Sequence, residues 1–71
     1  MVLTVAMEDD PDVAARILAD EMGISDADGL EMLAAELLEA GDRSEVAFGW
    51  KPGFARAMAV HLRRMALRAR N

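Results

Sequence analysis

His61 is the only histidine in this 71-residue chain, and it is the one side chain suited to general acid–base chemistry near neutral pH. Covalent catalysis would pair such a base with a nucleophile. The chain has no cysteine, and Ser25 and Ser44 lack the glycine-flanked turn that exposes the serine of a hydrolase. On a helical wheel His61 lies at the edge of an apolar stripe, near Arg64 and Arg68. We therefore interpret His61 as a structural residue and expect neither enzymatic activity nor a cofactor.

The carboxylates are densest in residues 8–12, where four of the five side chains are acidic. A calcium loop alternates its ligands around a central glycine, and this run does neither. Glu36 and Glu39 have no Glu-x-x-His partner of the kind that builds a di-metal site in a helical bundle. A single histidine without cysteine also fits poorly with a structural zinc site. We predict no metal site and interpret residues 8–12 as the charged start of a helix.

Five arginines lie in the last third of the chain, and Arg56, Arg63 and Arg70 recur every seven residues along one helix face. Such a row could neutralise nucleic-acid phosphates. The chain as a whole carries a net charge of −5, whereas domains that bind nucleic acid are usually basic. Direct binding of nucleic acid by a dimer that uses this row is therefore kept as an alternative and is not favoured.

Charge is divided unevenly along the chain. All 13 acidic residues lie in residues 1–45 beside only two bases, Arg16 and Arg43, so this part carries −11. Residues 46–71 hold six bases and no acid and carry +6. The simpler interpretation is that the two parts attract each other within one fold. The alternative is that one part presents its charge to a partner.

Hydrophobic periodicity predicts a first helix over residues 11–22. Asp10 is placed to cap it, proline follows at the first helical position, and Gly23 is expected to end it. Glu21 falls inside the apolar arc, so its carboxylate must reach solvent or meet an arginine. The buried face is expected to comprise Val13, Ala14, Ile17, Leu18 and Met22.

A second helix is predicted over residues 26–40, with Gly41 as its end. Ser25 with Asp28, or Asp28 with Glu31, has the spacing of a capping box. The gap of two to three residues after the first helix favours an antiparallel hairpin. The core stripe is expected to comprise Ala27, Leu30, Leu33, Ala34, Leu37 and Leu38.

The clearest amphipathic segment is the third predicted helix, over residues 52–70. Its apolar residues occupy one arc of about 140° on the helical wheel, and its arginines lie outside that arc. We expect this helix to pack across the hairpin of the first two. The predicted apolar face comprises Phe54, Ala55, Met58, Ala59, Leu62, Met65, Ala66 and Ala69.

The remaining segments carry weaker signals. Residues 1–9 are expected to form an arm or an edge strand, for which 46–50 is the only candidate pairing segment. Residues 41–51 are expected to form an irregular connection in which Phe48 and Trp50 close one end of the core. No segment has the length and basic start of a signal peptide or the length of a membrane span, and the absence of cysteine suits the cytoplasm.

Val60 and Leu67 also recur every seven residues, but opposite the core stripe, with arginines on both sides. Interface cores favour apolar side chains and arginine, so this pattern indicates contact with another chain. On the second helix, Met32 lies among acidic residues and could form an adaptable contact. The predicted partner-binding residues are Val60, Leu67, Arg56, Arg63, Arg64, Glu31, Met32, Glu36 and Glu39.

Together these patterns predict an all-α, three-helix bundle that acts as a non-enzymatic protein-binding adaptor or inhibitor. A chain this small and without disulfides supports only about 3–5 kcal/mol of stability from its own core, which favours a homo-oligomer, most simply a dimer, or a partner protein. One further alternative is an inhibitor of the phage or mobile-element type, whose acidic helices imitate a nucleic-acid backbone.

Overall fold

The computed structural model describes residues 8–71 and contains four α-helices, with no strand in this range. The helices are α1 (Pro11–Glu21), α2 (Ala27–Glu39), α3 (Gly41–Phe48) and α4 (Phe54–Arg70). The prediction of a small all-α bundle is therefore confirmed. Residues 1–7, where an arm or strand was predicted, lie outside the described residues, and the proposed pairing segment 46–50 begins within α3.

The longest helix, α4, is the centre of the bundle. Its predicted apolar face is buried through Ala55, Met58, Ala59, Leu62 and Ala66, and Phe54 and Met65 pack against this core. Ala69 is an exception and is exposed, together with the rest of the chain from Leu67 onward. With 17 residues α4 is longer than either helix that covers it, so its last turn is left open to solvent.

The prediction that α1 and α2 pack against each other as a hairpin is wrong. Both helices pack mainly on α4 and have few close approaches to each other. Arg70 at the end of α4 pairs with Asp28 at the start of α2, and Gly41 just after α2 approaches Ala55 at the start of α4, so α2 and α4 run antiparallel. Five residues, rather than two or three, separate α1 from α2.

The buried residues of α1 are all alanines. The residues of α1 that are fully covered are Ala14, Ala15 and Ala19, and small side chains at a helix contact permit a short distance between axes. Ala15 and Ala19 were not in the predicted face, and Met22, which was, is 52% exposed. Glu21, whose carboxylate was expected to reach solvent or to meet an arginine, is exposed at the surface.

The ends of α1 follow the predicted signals. The side chain of Asp10 accepts a hydrogen bond from the backbone N–H of Asp12 at 2.9 Å, and Pro11 occupies the first turn. At the other end Gly23 adopts φ +67°, which glycine tolerates at no steric cost. The backbone N–H of Ile24 then donates to the carbonyl of Ala19 at 2.9 Å, which completes a Schellman turn.

The residue that caps the start of α2 is not one of those predicted, and one residue of the predicted core stripe is exposed. Asp26, rather than Ser25 or Asp28, caps the helix by accepting a hydrogen bond from the backbone N–H of Gly29 at 3.0 Å. A Cβ at Gly29 would lie 2.7 Å from the Asp26 Oδ1 atom, so a larger residue there would require the Asp26 side chain to shift. Leu38, predicted as core, is 41% exposed.

The segment predicted as an irregular connection contains α3. Gly41 begins this helix instead of ending the previous one, and Ala40 serves as the C-cap of α2 and the N-cap of α3. None of the residues of α3 is fully buried, so its sequence carries no core stripe from which it could be predicted. Gly49, at φ +71°, ends it, and Trp50 follows.

Glu45 of α3 caps α4 from outside. One of its carboxylate oxygens, Oε2, accepts hydrogen bonds from the backbone N–H groups of Gly53 at 2.9 Å and Ala55 at 3.2 Å. Gly53, which precedes the helix, has no side chain with which to cap it. The carboxylate also lies at the positive end of the α4 dipole, so α3 holds the start of α4 both by hydrogen bonds and by charge.

Three aromatic rings close this end of the bundle. The ring of Trp50 stacks on Phe48 with centroids 4.7 Å apart and contacts Phe54 at 5.3 Å. Trp50 and Phe54 pack against the core, as the prediction of a hydrophobic plug required, whereas Phe48 remains 38% exposed.

Candidate functional site

The outward face of α4 presents the surface that the sequence singled out. Val60 is 44% and Leu67 is 63% exposed, and about 10.5 Å of helix axis separates them. Arg56, Arg63 and Arg64 flank them and are exposed. We call these five residues the α4 ridge. All five are exposed, whereas Ala55, Met58, Ala59, Leu62 and Ala66 of the same helix are buried.

Arg70 differs from the arginines of the α4 ridge in its contacts. Arg70 pairs with Asp28 at 3.2 Å and with Glu31, which ties the end of α4 to the start of α2. In contrast, the three arginines of the α4 ridge form no ion pair with any residue in the range 8–71. Among the arginines of α4, Arg70 is the one whose ion pairs within residues 8–71 join the basic part of the chain to the acidic part.

This division also interrupts the arginine row on which direct nucleic-acid binding depended. Of the three residues spaced seven apart, Arg70 already contacts two carboxylates, which leaves Arg56 and Arg63. A row of two cations on an acidic domain offers few phosphate contacts, and affinity for nucleic acid rises with their number.

The acidic residues of the predicted site lie on α2. Glu31, Glu36 and Glu39 are exposed, and Met32 among them is 67% exposed. We call these four residues the α2 acidic face. α2 and α4 pack through their apolar sides. Glu31 lies at the edge of this contact, where it pairs with Arg70, and Met32, Glu36 and Glu39 are exposed outside it. The nine predicted site residues thus form two surfaces of opposite charge.

His61 of α4 faces Asp12 of α1. Its Nδ1 atom lies 3.7 Å from the Asp12 Oδ1 atom, and the same carboxylate contacts Arg16 at 3.4 Å. The histidine side chain is 25% exposed, so it is partly covered at the edge of the α4 core face. When protonated, His61 would link α4 to the first turn of α1.

The sequence did not reveal a shallow apolar groove of about 190 Å³ that lies where α1, α2 and α3 come together. The periodicity within each helix does not show that the residues lining this groove lie together in the fold. The exposure of Met22 and Phe48 in the folded chain is the one signal of the groove. Within residues 8–71, the enclosed indole Nε1 atom of Trp50 has no hydrogen-bond partner. The groove is lined chiefly by Leu18, Met22, Leu33, Leu37, Phe48 and Trp50.

Residues 8–71 contain neither a membrane-spanning helix nor a cluster of metal ligands. No helix there is both long and apolar enough to cross a membrane. No group of three or more acidic or histidine side chains in this part of the chain is arranged to hold a metal ion. Comparison of the chain with models of protein families, with curated proteins and with solved structures gives no match.

Proposed function

We propose that this protein is a non-enzymatic binding module, an adaptor or inhibitor that contacts a partner protein through the α4 ridge. One observation carries the proposal. Two large apolar side chains stand exposed on one helix face, framed by three arginines that have no ion-pair partner in residues 8–71. Apolar side chains and arginine are the residues enriched where protein interfaces are buried.

The physical roles of the two components differ. Burial of Val60 and Leu67 would contribute affinity through the removal of apolar surface from water. The flanking arginines would orient the partner and raise the association rate, with an effect that falls as salt rises. A ridge on a single helix is the form in which a helix enters an apolar groove. Two apolar residues make a small patch, so we expect a transient contact.

The proposal is tested by Val60→Asp and Leu67→Asp in the full chain, each of which places a charge at the centre of the ridge. Val46→Asp is the matched control, because Val46 is 85% exposed on α3 and lies outside the ridge. The partner is first isolated by affinity capture from the native host, and its affinity for each purified variant is measured by calorimetry.

We expect each ridge variant to bind at least about tenfold more weakly, as loss of a central interface residue does. The Val46→Asp control should bind like the original chain, and circular dichroism should show all three variants folded. If the folded ridge variants retain the original affinity, the proposal is wrong.

We place the module in the cytoplasm, where a chain without cysteine is suited to the reducing environment.

A second candidate function uses the α2 acidic face. Glu36 and Glu39 are exposed and form no ion pair with other residues in the range 8–71, so their charges are available to imitate phosphates. This would make the protein an inhibitor that occupies the nucleic-acid site of another protein, as in phage or mobile-element systems. Under this alternative, Glu36→Lys with Glu39→Lys abolishes partner binding, whereas Val60→Asp does not.

A further inference from the structure

We propose that the α4 ridge binds the α2 acidic face of a second copy of this chain. The inference deepens the proposed function, since it assigns an occupant to the same ridge. The two surfaces are complementary in charge. The ridge carries three exposed arginines, and the acidic face carries Glu36 and Glu39, which form no ion pair within residues 8–71, whereas Glu31 already pairs with Arg70. Both also carry exposed apolar side chains at their centres, Val60 and Leu67 on the ridge and Met32 on the acidic face.

The spacing of the two helices suits this contact. About 10.5 Å of helix axis separates Val60 from Leu67, which leaves room for one side chain between them. Met32 is unbranched and flexible, so it can fill that space in the way a knob fills a hole between helices. Glu36 and Glu39 lie one and two turns farther along α2, within reach of the arginines that flank the ridge.

A contact within one copy is excluded by the fold. α2 and α4 already pack against each other through their apolar sides, so the outward faces of the same copy point apart. Contact between the ridges of two copies would bring Arg56, Arg63 and Arg64 against the same residues of the other copy, and like charges across an interface are unfavourable. Contact of the ridge with the acidic face brings opposite charges together.

Such a contact is heterologous, because each copy uses a different surface. A pair joined in this way still has one ridge and one acidic face unoccupied, so association continues beyond the dimer unless a ring closes. The simple dimer favoured by the sequence would then be only the first step. Because few apolar side chains take part, we expect weak association that decreases with salt.

The test uses the full chain in two charge-reversed forms. The ridge variant carries Arg63→Glu with Arg64→Glu, and the face variant carries Glu36→Lys with Glu39→Lys. A control, Asp20→Lys with Asp42→Lys, makes the same change in net charge as the face variant on exposed residues of α1 and α3. Sedimentation equilibrium from micromolar to millimolar concentration, at low and high salt, measures the average mass of each protein and of mixtures.

We expect the original chain and the control to associate at low salt and to dissociate at high salt. Each reversed variant alone should require at least about tenfold more protein to associate, because its two surfaces now carry the same sign of charge. An equimolar mixture of the two variants should recover association, since each ridge then meets a face of opposite charge. General charge effects do not produce this recovery, because both variants keep a negative net charge.

The inference is overturned if the original chain stays monomeric at millimolar concentration in low salt, or if the mixture remains monomeric. It is also overturned if either variant alone associates as the original chain does. These results are separable from the proposed function. A monomeric chain whose Val60→Asp variant loses its natural partner keeps the proposed function and rejects self-docking, whereas self-association with partner binding intact in Val60→Asp does the reverse.

Discussion

Replacement of Leu62 by alanine is the most direct test of which face of α4 packs in the core. Leu62 is 0% exposed and is one of the two largest fully buried side chains, the other being Met58. A buried leucine replaced by alanine costs about 2–5 kcal/mol, and the cost rises with the cavity that remains. Many neighbours in this core are alanines, whose short side chains cannot move into the space. We therefore expect a loss of about 3–4 kcal/mol in the free energy of unfolding, well above the lower end of that range.

A loss of this size is large for so small a domain. At about 0.05–0.15 kcal/mol per residue, the whole chain has a free energy of unfolding of about 4–10 kcal/mol. Leu62→Ala should therefore lower the melting temperature by roughly 12–30 °C, or leave the chain partly unfolded at room temperature. Urea titration followed by circular dichroism and by the fluorescence of Trp50, the only tryptophan, measures the change with two independent probes.

Leu67→Ala is the matched control, because it makes the same substitution on the same helix at a side chain that is 63% exposed. We expect its free energy of unfolding to change by less than about 0.5 kcal/mol. If Leu67→Ala destabilises the chain as much as Leu62→Ala does, the two faces of α4 are reversed and the α4 ridge is not a surface.

Three other substitutions test the ends and links of the helices. Glu45→Ala removes the acceptor of two backbone hydrogen bonds at the start of α4 and should cost about 1–2 kcal/mol in urea titration, with Glu45→Gln costing less because it keeps an acceptor oxygen. Gly23→Ala forces a side chain into φ +67° and should cost about 1–2 kcal/mol, although the space around the new Cβ is open. Arg70→Ala breaks the pairs with Asp28 and Glu31 and should cost only about 0.2–1 kcal/mol, less at 1 M salt, because these groups are solvent-exposed.

Each of these has a result that would contradict it. An unchanged midpoint for Glu45→Ala would mean that α3 does not hold the start of α4. No loss for Gly23→Ala would mean that α1 does not end in the left-handed conformation. A loss for Arg70→Ala that is large and insensitive to salt would mean that the arginine stabilises the fold by packing instead of by charge.

The sequence alone was sufficient for the two faces of α4 and for the start of α1. α4 has 17 residues, so the helical period repeats nearly five times and separates Met58 and Leu62 from Val60 and Leu67 without ambiguity. Asp10 and Pro11 act within the turn that they begin, so their effect is local and can be read from adjacent residues. The exposure of the predicted partner-binding residues follows from the same local periodicity.

Only the tertiary structure decided features that depend on how separate elements meet. α3 buries no residue fully, so its eight residues show no apolar stripe, and the role of Glu45 arises from backbone groups eight and ten residues farther along the chain. Alanine is found in cores and on surfaces alike, so the burial of Ala15 and Ala19 depended on α1 packing directly on α4. Met22 and Leu38 are exposed because no neighbouring helix covers them. Which residues are covered depends on how the helices pack together, and the sequence of a single helix does not contain that information.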